Sequence, residues 1–332
     1  MRPEELASSL QRLVERSPAF PDEELVVDLI ANPKAGGFTR LSYAKLRHRE
    51  LLELEARAAA LPPRRKPAGL RLHLTERCGH AADIARGILA EARKDPPGRR
   101  RLVLTAGGDG TSLEAASALV ELPPEERGRF ALLRLPFGTG NDGSEGRDLL
   151  ACLGRFLEPC AAVPKRAVLV EPNPAGGKLP SYSFNIVSLG LDAFVCEMTN
   201  RLKSVLPGDS YKLWVDVASV FYDLRWPPAP LKARAFDAAG AETVSFERPC
   251  LLVAFGAGGN RQYGCDKPIL PDDDNVCAVF LVSLLKKLAF KDRIASGRHR
   301  GLGEDILKLF SAERIVFDYS RGILMQRDGE VT

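Results

Sequence analysis

A chain of 332 residues with 45% hydrophobic and 27% charged residues has the make-up of a folded protein, and its length favours two domains over a single core. A net charge of +4 gives no argument for nucleic acid as a partner, and seven scattered cysteines without a C-x-x-C pair argue for reduced thiols rather than a disulfide framework. The four histidines stand apart from those cysteines, against a zinc site, and no window approaches the ~20 apolar residues of a membrane span.

In chain order, Met1 to Phe20 reads as an amphipathic helix without the apolar centre of a signal peptide, which predicts a cytoplasmic chain. A buried-type strand, Leu25 to Ala31, runs into the turn Asn32-Pro33-Lys34-Ala35-Gly36-Gly37. A helix from Leu41 to Leu61 follows and is closed by Pro62 and Pro63. Leu70 to Leu74 alternates like a strand, and Thr75 is placed to cap a helix from Cys78 to Lys94. Arg101 to Thr105 is a third strand, leading to Gly107-Gly108-Asp109-Gly110 and a helix from Ser112 to Leu122. Phe130 to Leu135 is a fourth, ending at Pro136-Phe137-Gly138-Thr139-Gly140-Asn141. Strand, glycine turn and helix in repetition predict an α/β domain with a mostly parallel sheet over residues 25–162, behind a helical extension of residues 1–24.

The pattern changes near Glu158 to Lys165, where two prolines meet a helix end. Short β-type runs follow at Ala167–Glu171, Ser181–Ser188, Lys232–Phe236, Thr243–Phe246, Leu251–Phe255, Cys277–Leu284 and Arg314–Asp318. They predict an all-β, sandwich-type domain over residues 163–332. One helix interrupts it, Ser210 to Leu224, with Leu213, Trp214, Val217, Val220, Phe221 and Leu224 at steps of three and four.

Ligands of open α/β sheets bind outside the carboxyl ends of the strands, so the three glycine turns are expected to share one crevice. Glycine lets backbone approach a phosphate, and a helix start offers unpaired N–H groups to an anion. A carboxylate there, Asp109, would repel bare phosphate, which implies Mg²⁺ between them. There is no G-x-x-x-x-G-K-[ST] loop and no G-x-G-x-x-G after the first strand, which excludes a Walker-type NTPase and a dinucleotide-binding fold. Gly256-Ala257-Gly258-Gly259 lies in the β-rich half and reads as turn positions. Lys286, Lys287, Lys291, Arg293, Arg298 and Arg300 form a basic stretch that fits a solvated face or contact with anionic headgroups.

Taken in order, Asn32 to Gly37, Thr75 with Gly79-His80-Ala81, Gly107 to Thr111 with Glu114, Pro136 to Asp142, Phe184-Asn185 with Ser188-Leu189-Gly190-Leu191-Asp192-Ala193, and Asp328-Gly329-Glu330 resemble the motifs of the diacylglycerol kinase catalytic-domain family. That family includes bacterial lipid kinases, sphingosine kinases and ceramide kinases. The resemblance implies a phosphofructokinase/NAD kinase-like first domain and ATP- and Mg²⁺-dependent phosphorylation of a lipid hydroxyl at a membrane surface. It also implies site residues. Asn32, Pro33, Lys34, Ala35, Gly36, Thr75, Gly108, Asp109, Gly110, Thr111, Ser112, Leu113, Glu114, Thr139 and Asn141 would hold the nucleotide. Asp109 would sit by its phosphates and Mg²⁺, and Glu330, or Asp328 beside it, would take the acceptor's proton. Pro271-Asp272-Asp273-Asp274-Asn275-Val276 stands where bacterial members keep a structural Mg²⁺, implying Asp274 as ligand with carbonyls of Pro271 and Val276. Asn275 replaces the usual glycine and is expected to tolerate a left-handed turn. Two departures are plain. Gly143-Ser144-Glu145-Gly146-Arg147 replaces an aromatic residue and an Ala-Arg pair, and the family's segment beyond the D-G-E motif is not found after Glu330. An NAD kinase-like enzyme and a non-catalytic nucleotide or lipid binder stay open as alternatives, as does a homodimer.

Overall fold

Parallel strands need both of their faces covered, and the first four strands carry apolar residues on both. The computed structural model describes residues 1–138, 141, 143–173, 179–203, 217, 220–257, 261–263, 267–270, 274–295 and 297–331. They divide into two units, Met1–Lys165 and Arg166–Thr332.

In the first unit β1 (Glu24–Ala31), β2 (Ala68–Leu74), β3 (Arg99–Gly107) and β4 (Phe130–Pro136) form a parallel sheet in the order β2-β1-β3-β4. The period-2 alternation divides their side chains between two cores. Leu25, Val27, Leu29, Leu102, Leu104 and Leu135 join the cluster that contains α1 (Pro3–Val14) and α3 (Leu41–Ala59). Ile30 and Val103 pack instead with α4 (His80–Ala92) and α5 (Asp109–Val120). The N-terminal helix buries Leu6, Leu10, Leu13 and Val14, so it is part of this core rather than an appendage. Each such side chain stabilises the fold by about 1.5–3 kcal/mol. The register brings the strand ends level: Ala31 lies opposite both Leu74 and Ala106, and Gly107 opposite Pro136. One polar group interrupts the β1 pattern. Asp28 is fully buried and bound by Arg71 at 2.9 Å, His73 at 3.0 Å and Arg101 at 3.1 Å. A charge so enclosed is tolerable only with partners of this kind.

The second unit is mostly antiparallel sheet, as expected, in the order β13 (Leu307–Phe310), β12, β9, β7, β15, β16, with β14 (Arg314–Tyr319) and β8 joined through β9. The runs at Thr243 and Leu251 are one strand, β9 (Glu242–Gly256). Its first part pairs with β8 (Pro230–Phe236), and its second with β7 (Ile186–Gly190) and β12 (Val276–Phe280). Pro249 stands opposite Pro230 where the β8 ladder ends, a position at which neither ring interrupts the longer ladder. Two helices are additions to the expectation: α8 (Leu191–Lys203), and a helix named here α9 (Leu284–Ala295). The run at Cys277 ends as a strand at Phe280, and Leu284 opens a helix instead. Of the helix expected at Ser210–Leu224, only residues 217 and 220–224 are described, and they are helical; Leu213 and Trp214 fall outside.

Gly190 ends β7 with φ +83°, and a Cβ there would lie 2.5 Å from the Leu251 carbonyl oxygen. Gly190→Ala is therefore expected to lower stability by about 2 kcal/mol or more, read as a lower urea midpoint.

Candidate nucleotide and acceptor sites

Level strand ends bring the loops of the first unit into direct contact. The Asn32 amide donates to Ala106 O at 2.9 Å and the Thr75 amide to Ala31 O at 2.9 Å, so the β1 turn is fastened to both neighbours. The Asn32 carboxamide accepts from Lys34 N at 3.0 Å and donates to Thr111 Oγ1 at 3.5 Å. Pro33 and Ala35 complete this turn, Lys34 is exposed, and Gly36 starts a short helix, α2 (Gly36–Thr39). The Gly37 amide donates to Phe137 O at 2.8 Å, tying the first loop to the third. Gly108 and Gly138 meet backbone to backbone: a Cβ on Gly138 would lie 2.7 Å from Gly108 Cα.

Asp109 is the first residue of α5, half-buried, and its carboxylate accepts from Asn141 N and from Gly143 N, both at 3.2 Å. Asn141 stands at φ +61°, and its carboxamide closes the turn by accepting from Gly138 N at 2.6 Å and donating to Gly138 O at 3.0 Å. Gly110 and Thr111 supply first-turn amides of α5, which have no helical acceptor and favour an anion. Ser112 and Leu113 are buried behind them, Ser112 bonded to Thr105 at 2.9 Å. Thr139, Gly140 and Asp142 lie outside the described residues.

Thr75 does not cap α4. The N-cap is Gly79 at φ +81°, and the Glu114 carboxylate accepts from Gly79 N at 2.8 Å and Ala81 N at 3.2 Å. Glu114 thus shapes the Thr75–Gly79 loop from the adjacent helix α5, a role that no local spacing discloses.

The departing loop is tightly supported. Glu145 accepts from Arg134 through its amide at 2.6 Å and through the guanidinium at 2.9 and 3.1 Å, and pairs with Lys165 at 3.2 Å. Burial would raise its carboxyl, but the Arg134 charge and hydrogen bonds hold it below the ordinary glutamate range. Neither loop glycine has space for a side chain: a Cβ at Gly143 would meet Arg134 Nη1 at 2.9 Å, and one at Gly146 would meet Ala151 Cβ at 2.8 Å. Behind the loop, the buried pair Arg47–Glu50 (2.6 Å) receives Leu149 N at 3.1 Å and donates to Arg147 O at 3.2 Å.

In the second unit Asp328 and Gly329 have φ of +50° and +90°, between Arg327 of β15 (Met325–Arg327) and Glu330 of β16 (Glu330–Val331), which are paired. This is the two-residue hairpin turn that needs positive φ at both positions, for which Asp-Gly is a preferred sequence. The buried Asp328 carboxylate accepts from Ser183 Oγ at 2.6 Å, Phe184 N at 2.7 Å, Asn185 N at 2.9 Å and Ile186 N at 3.0 Å. Glu330 is exposed at the head of the return strand. Gln326, absent from the expected site, joins the motifs. It donates to Ser188 Oγ at 2.9 Å and Asp192 at 3.1 Å and accepts from Gly329 N at 2.7 Å, while Ser188 donates to Asp192.

Pro271, Asp272 and Asp273 lie outside the described residues; Asp274 precedes β12 and Val276 opens it. Asn275 does not take the left-handed backbone expected of it. Its carboxamide instead clasps Ala312, donating to its carbonyl and accepting from its amide, each at 2.8 Å. Among the described residues no group of three His, Cys, Asp or Glu side chains is placed to hold a metal.

A parallel sheet with glycine loops and one acidic helix start at its carboxyl edge is an arrangement at which α/β proteins can bind phosphate groups. Residues 27–146 match the family described as "Diacylglycerol kinase catalytic domain". A Yersinia enterocolitica protein named "Probable lipid kinase YegS-like" is 30% identical over 171 residues, 51% of this chain and 52% of that one. A Yersinia pestis protein of the same name is 34% identical over 110 residues, covering 33% of this chain and 35% of its own. The match thus spans about half or less of these relatives' length. The crystal structure of "a putative diacylglycerol kinase" from Bacillus anthracis superposes with a TM-score of 0.57 at 20% identity, over 92% of this chain and 91% of that one, which shows a shared fold. The likeness to the diacylglycerol kinase catalytic-domain family is thus carried by residues 27–146.

Asp328→Ala strands several buried donors and is expected to cost about 3 kcal/mol or more in a urea titration, Asp328→Asn less. Because the Glu145 carboxyl is lowered in the folded state, its stabilisation is present above the unfolded carboxyl range, about pH 4.3, and is lost as pH falls through the folded value. The stability gap between wild type and Glu145→Gln should therefore close on acidification, as read by thermal melts across pH.

Proposed function

We propose that this protein is an ATP- and Mg²⁺-dependent kinase that transfers the γ-phosphoryl group to a hydroxyl of diacylglycerol or a related lipid, working at the cytoplasmic face of a membrane. The observation that carries the reading is the interlocked set of three loops around Asp109, in the segment that matches the family. The Asn32–Gly36 turn and the Gly108–Glu114 helix start would bind the phosphates through backbone amides, with Thr75 and Asn141 at the edges of the same loops and Thr139 as a further contact of the nucleotide. The donor type fits a divalent cation: Asp109 is a half-buried carboxylate among backbone amides, the hard oxygen donor that such an ion takes. Bound there, Mg²⁺ would supply charge neutralisation on the β- and γ-phosphoryl oxygens.

The acceptor oxygen attacks the γ-phosphorus in line, and the bond from that phosphorus to the β,γ-bridging oxygen breaks. ADP leaves with the electron pair, and the acceptor's proton passes to the Glu330 carboxylate. Between the two acidic residues of D-G-E, the exposure of Glu330 suits it to meet an acceptor. The four donors on Asp328 suit that residue to hold the turn that aims Glu330.

Asp109→Ala and Glu330→Gln should each lower turnover at least about a hundredfold, Glu330→Gln with melting temperature unchanged and Asp109→Ala with the protein still folded. Activity is to be measured as ATP consumption and phospholipid product on dispersed diacylglycerol, with sphingosine and NAD as competing acceptors. ATP binding without phosphorylation of any lipid would sink the lipid-kinase reading, and phosphorylation of NAD alone would replace it.

A further inference from the structure

In the second unit two helical segments present large apolar side chains to solvent. Phe221, Leu224 and Trp226 stand at the end of one, and Leu284, Leu285 and Leu288 on α9; Leu224 is 71% and Leu285 80% exposed. The two segments are fastened together, because the Lys287 ammonium donates to Val220 O at 2.9 Å and pairs with the Asp223 carboxylate. Between them lies a groove of about 420 Å³ lined by Leu224, Leu281 and Leu284 among others. Scattered apolar residues on a surface need no explanation, but a contiguous set on two tied helices does.

Charge indicates what covers it. Residues 281–300 contain six Lys and Arg against one acidic residue, Asp292. Lys286, which pairs with Asp305 at 3.2 Å, and Arg293 are exposed on the helix that carries the leucines, Arg298 and Arg300 are exposed just beyond it, and the Arg225 guanidinium lies 5.0 Å over the Trp226 ring. A second copy of the chain would set one such cationic surface against another, which costs rather than stabilises. Leucines flanked by basic residues on a helix, with an aromatic ring at the margin, is the composition of an element that lies in a membrane interface.

We propose that this face docks on an anionic lipid surface, the leucines entering the acyl boundary and Lys286, Arg293, Arg298 and Arg300 meeting headgroup phosphates. The proposal names the partner surface for the lipid-kinase reading and rests on that reading for its purpose, while its test needs no turnover.

The full chain without nucleotide is to be sedimented with sucrose-loaded vesicles of phosphatidylcholine alone or mixed with phosphatidylglycerol. Binding is expected on the mixed vesicles only, weakening as salt rises. Leu285→Glu and Leu224→Glu should each lower partitioning about tenfold or more with unchanged melting curves, since both side chains are already in solvent. Lys286→Glu with Arg293→Glu should abolish the preference for phosphatidylglycerol. Wild type that ignores the mixed vesicles, or leucine variants that bind as wild type does, would overturn the proposal. So would a concentration-dependent dimer that Leu285→Glu dissolves, because it would give the face to a second copy. Vesicle binding without ATP turnover would sink the kinase reading and leave the docking face standing. Turnover on dispersed short-chain diacylglycerol without vesicle binding would sink the docking face alone.

Discussion

The first unit depends on one constraint: four parallel strands that end at the same level. Ala31, Leu74, Gly107 and Pro136 are held side by side by the ladder register, so the chain must leave the sheet at adjacent points. Loops that depart together either collide or consist of residues small enough to pass. Gly108 and Gly138 pass at a distance that admits no Cβ on Gly138, and Gly107 has Thr111 where its own Cβ would be, at 2.6 Å. The glycines are therefore needed by the crowding itself. Small residues beside a helix start are also what a phosphate site would require, so the crowding of the fold and the proposed site call for the same residues.

The second unit divides two neighbouring acidic residues between two tasks. Asp328 is enclosed and bound by four donors, and it can adopt the positive φ that the hairpin turn requires. Glu330 follows it into the return strand and faces solvent. Gln326 and Ser188 extend the network to Asp192, so two motifs about 140 residues apart in sequence form one polar cluster. Such a cluster is stable only when each member is satisfied, which makes the orientation of the turn a property of the whole cluster.

Much of this was legible in the residues. Four strands, their glycine turns and the helices after them follow from periodicity and punctuation, because the parallel sheet is built from contiguous local units. The second unit was less legible. In Leu281–Leu285 five residues, four of them apolar, read equally as the end of a strand or the start of a helix, and packing decides for α9 from Leu284. The break inferred between Phe246 and Leu251 came from Pro249, which loses its power to interrupt where the ladder changes partner. Long-range polar bonds left no trace at all. Glu114 capping α4, Gln326 on Ser188, and Asn275 clasping Ala312 each join residues tens of positions or more apart. Asn275 in particular looked like a substitute for a turn glycine, whereas its carboxamide is what the position uses.

The Gly143–Arg147 loop bears on whether the first unit is a working site or a remnant. A segment released from any task has no reason to keep a buried ion pair, whose desolvation is offset only while its geometry is maintained. Here two such pairs serve one loop: Arg134–Glu145 clamps its centre, and Arg47–Glu50 holds its exit at Arg147 and Leu149. Gly146 is confined to having no side chain, and a Cβ on Gly143 would displace the Arg134 guanidinium from its place beside Glu145. The product of this arrangement is the Gly143 amide on an Asp109 oxygen. A loop of unusual sequence thus reaches the acidic residue at the centre of the crevice by its own means of support. For the proposed site this favours an altered loop over an abandoned one, and it sets the segment that departs from the family's pattern beside Asp109.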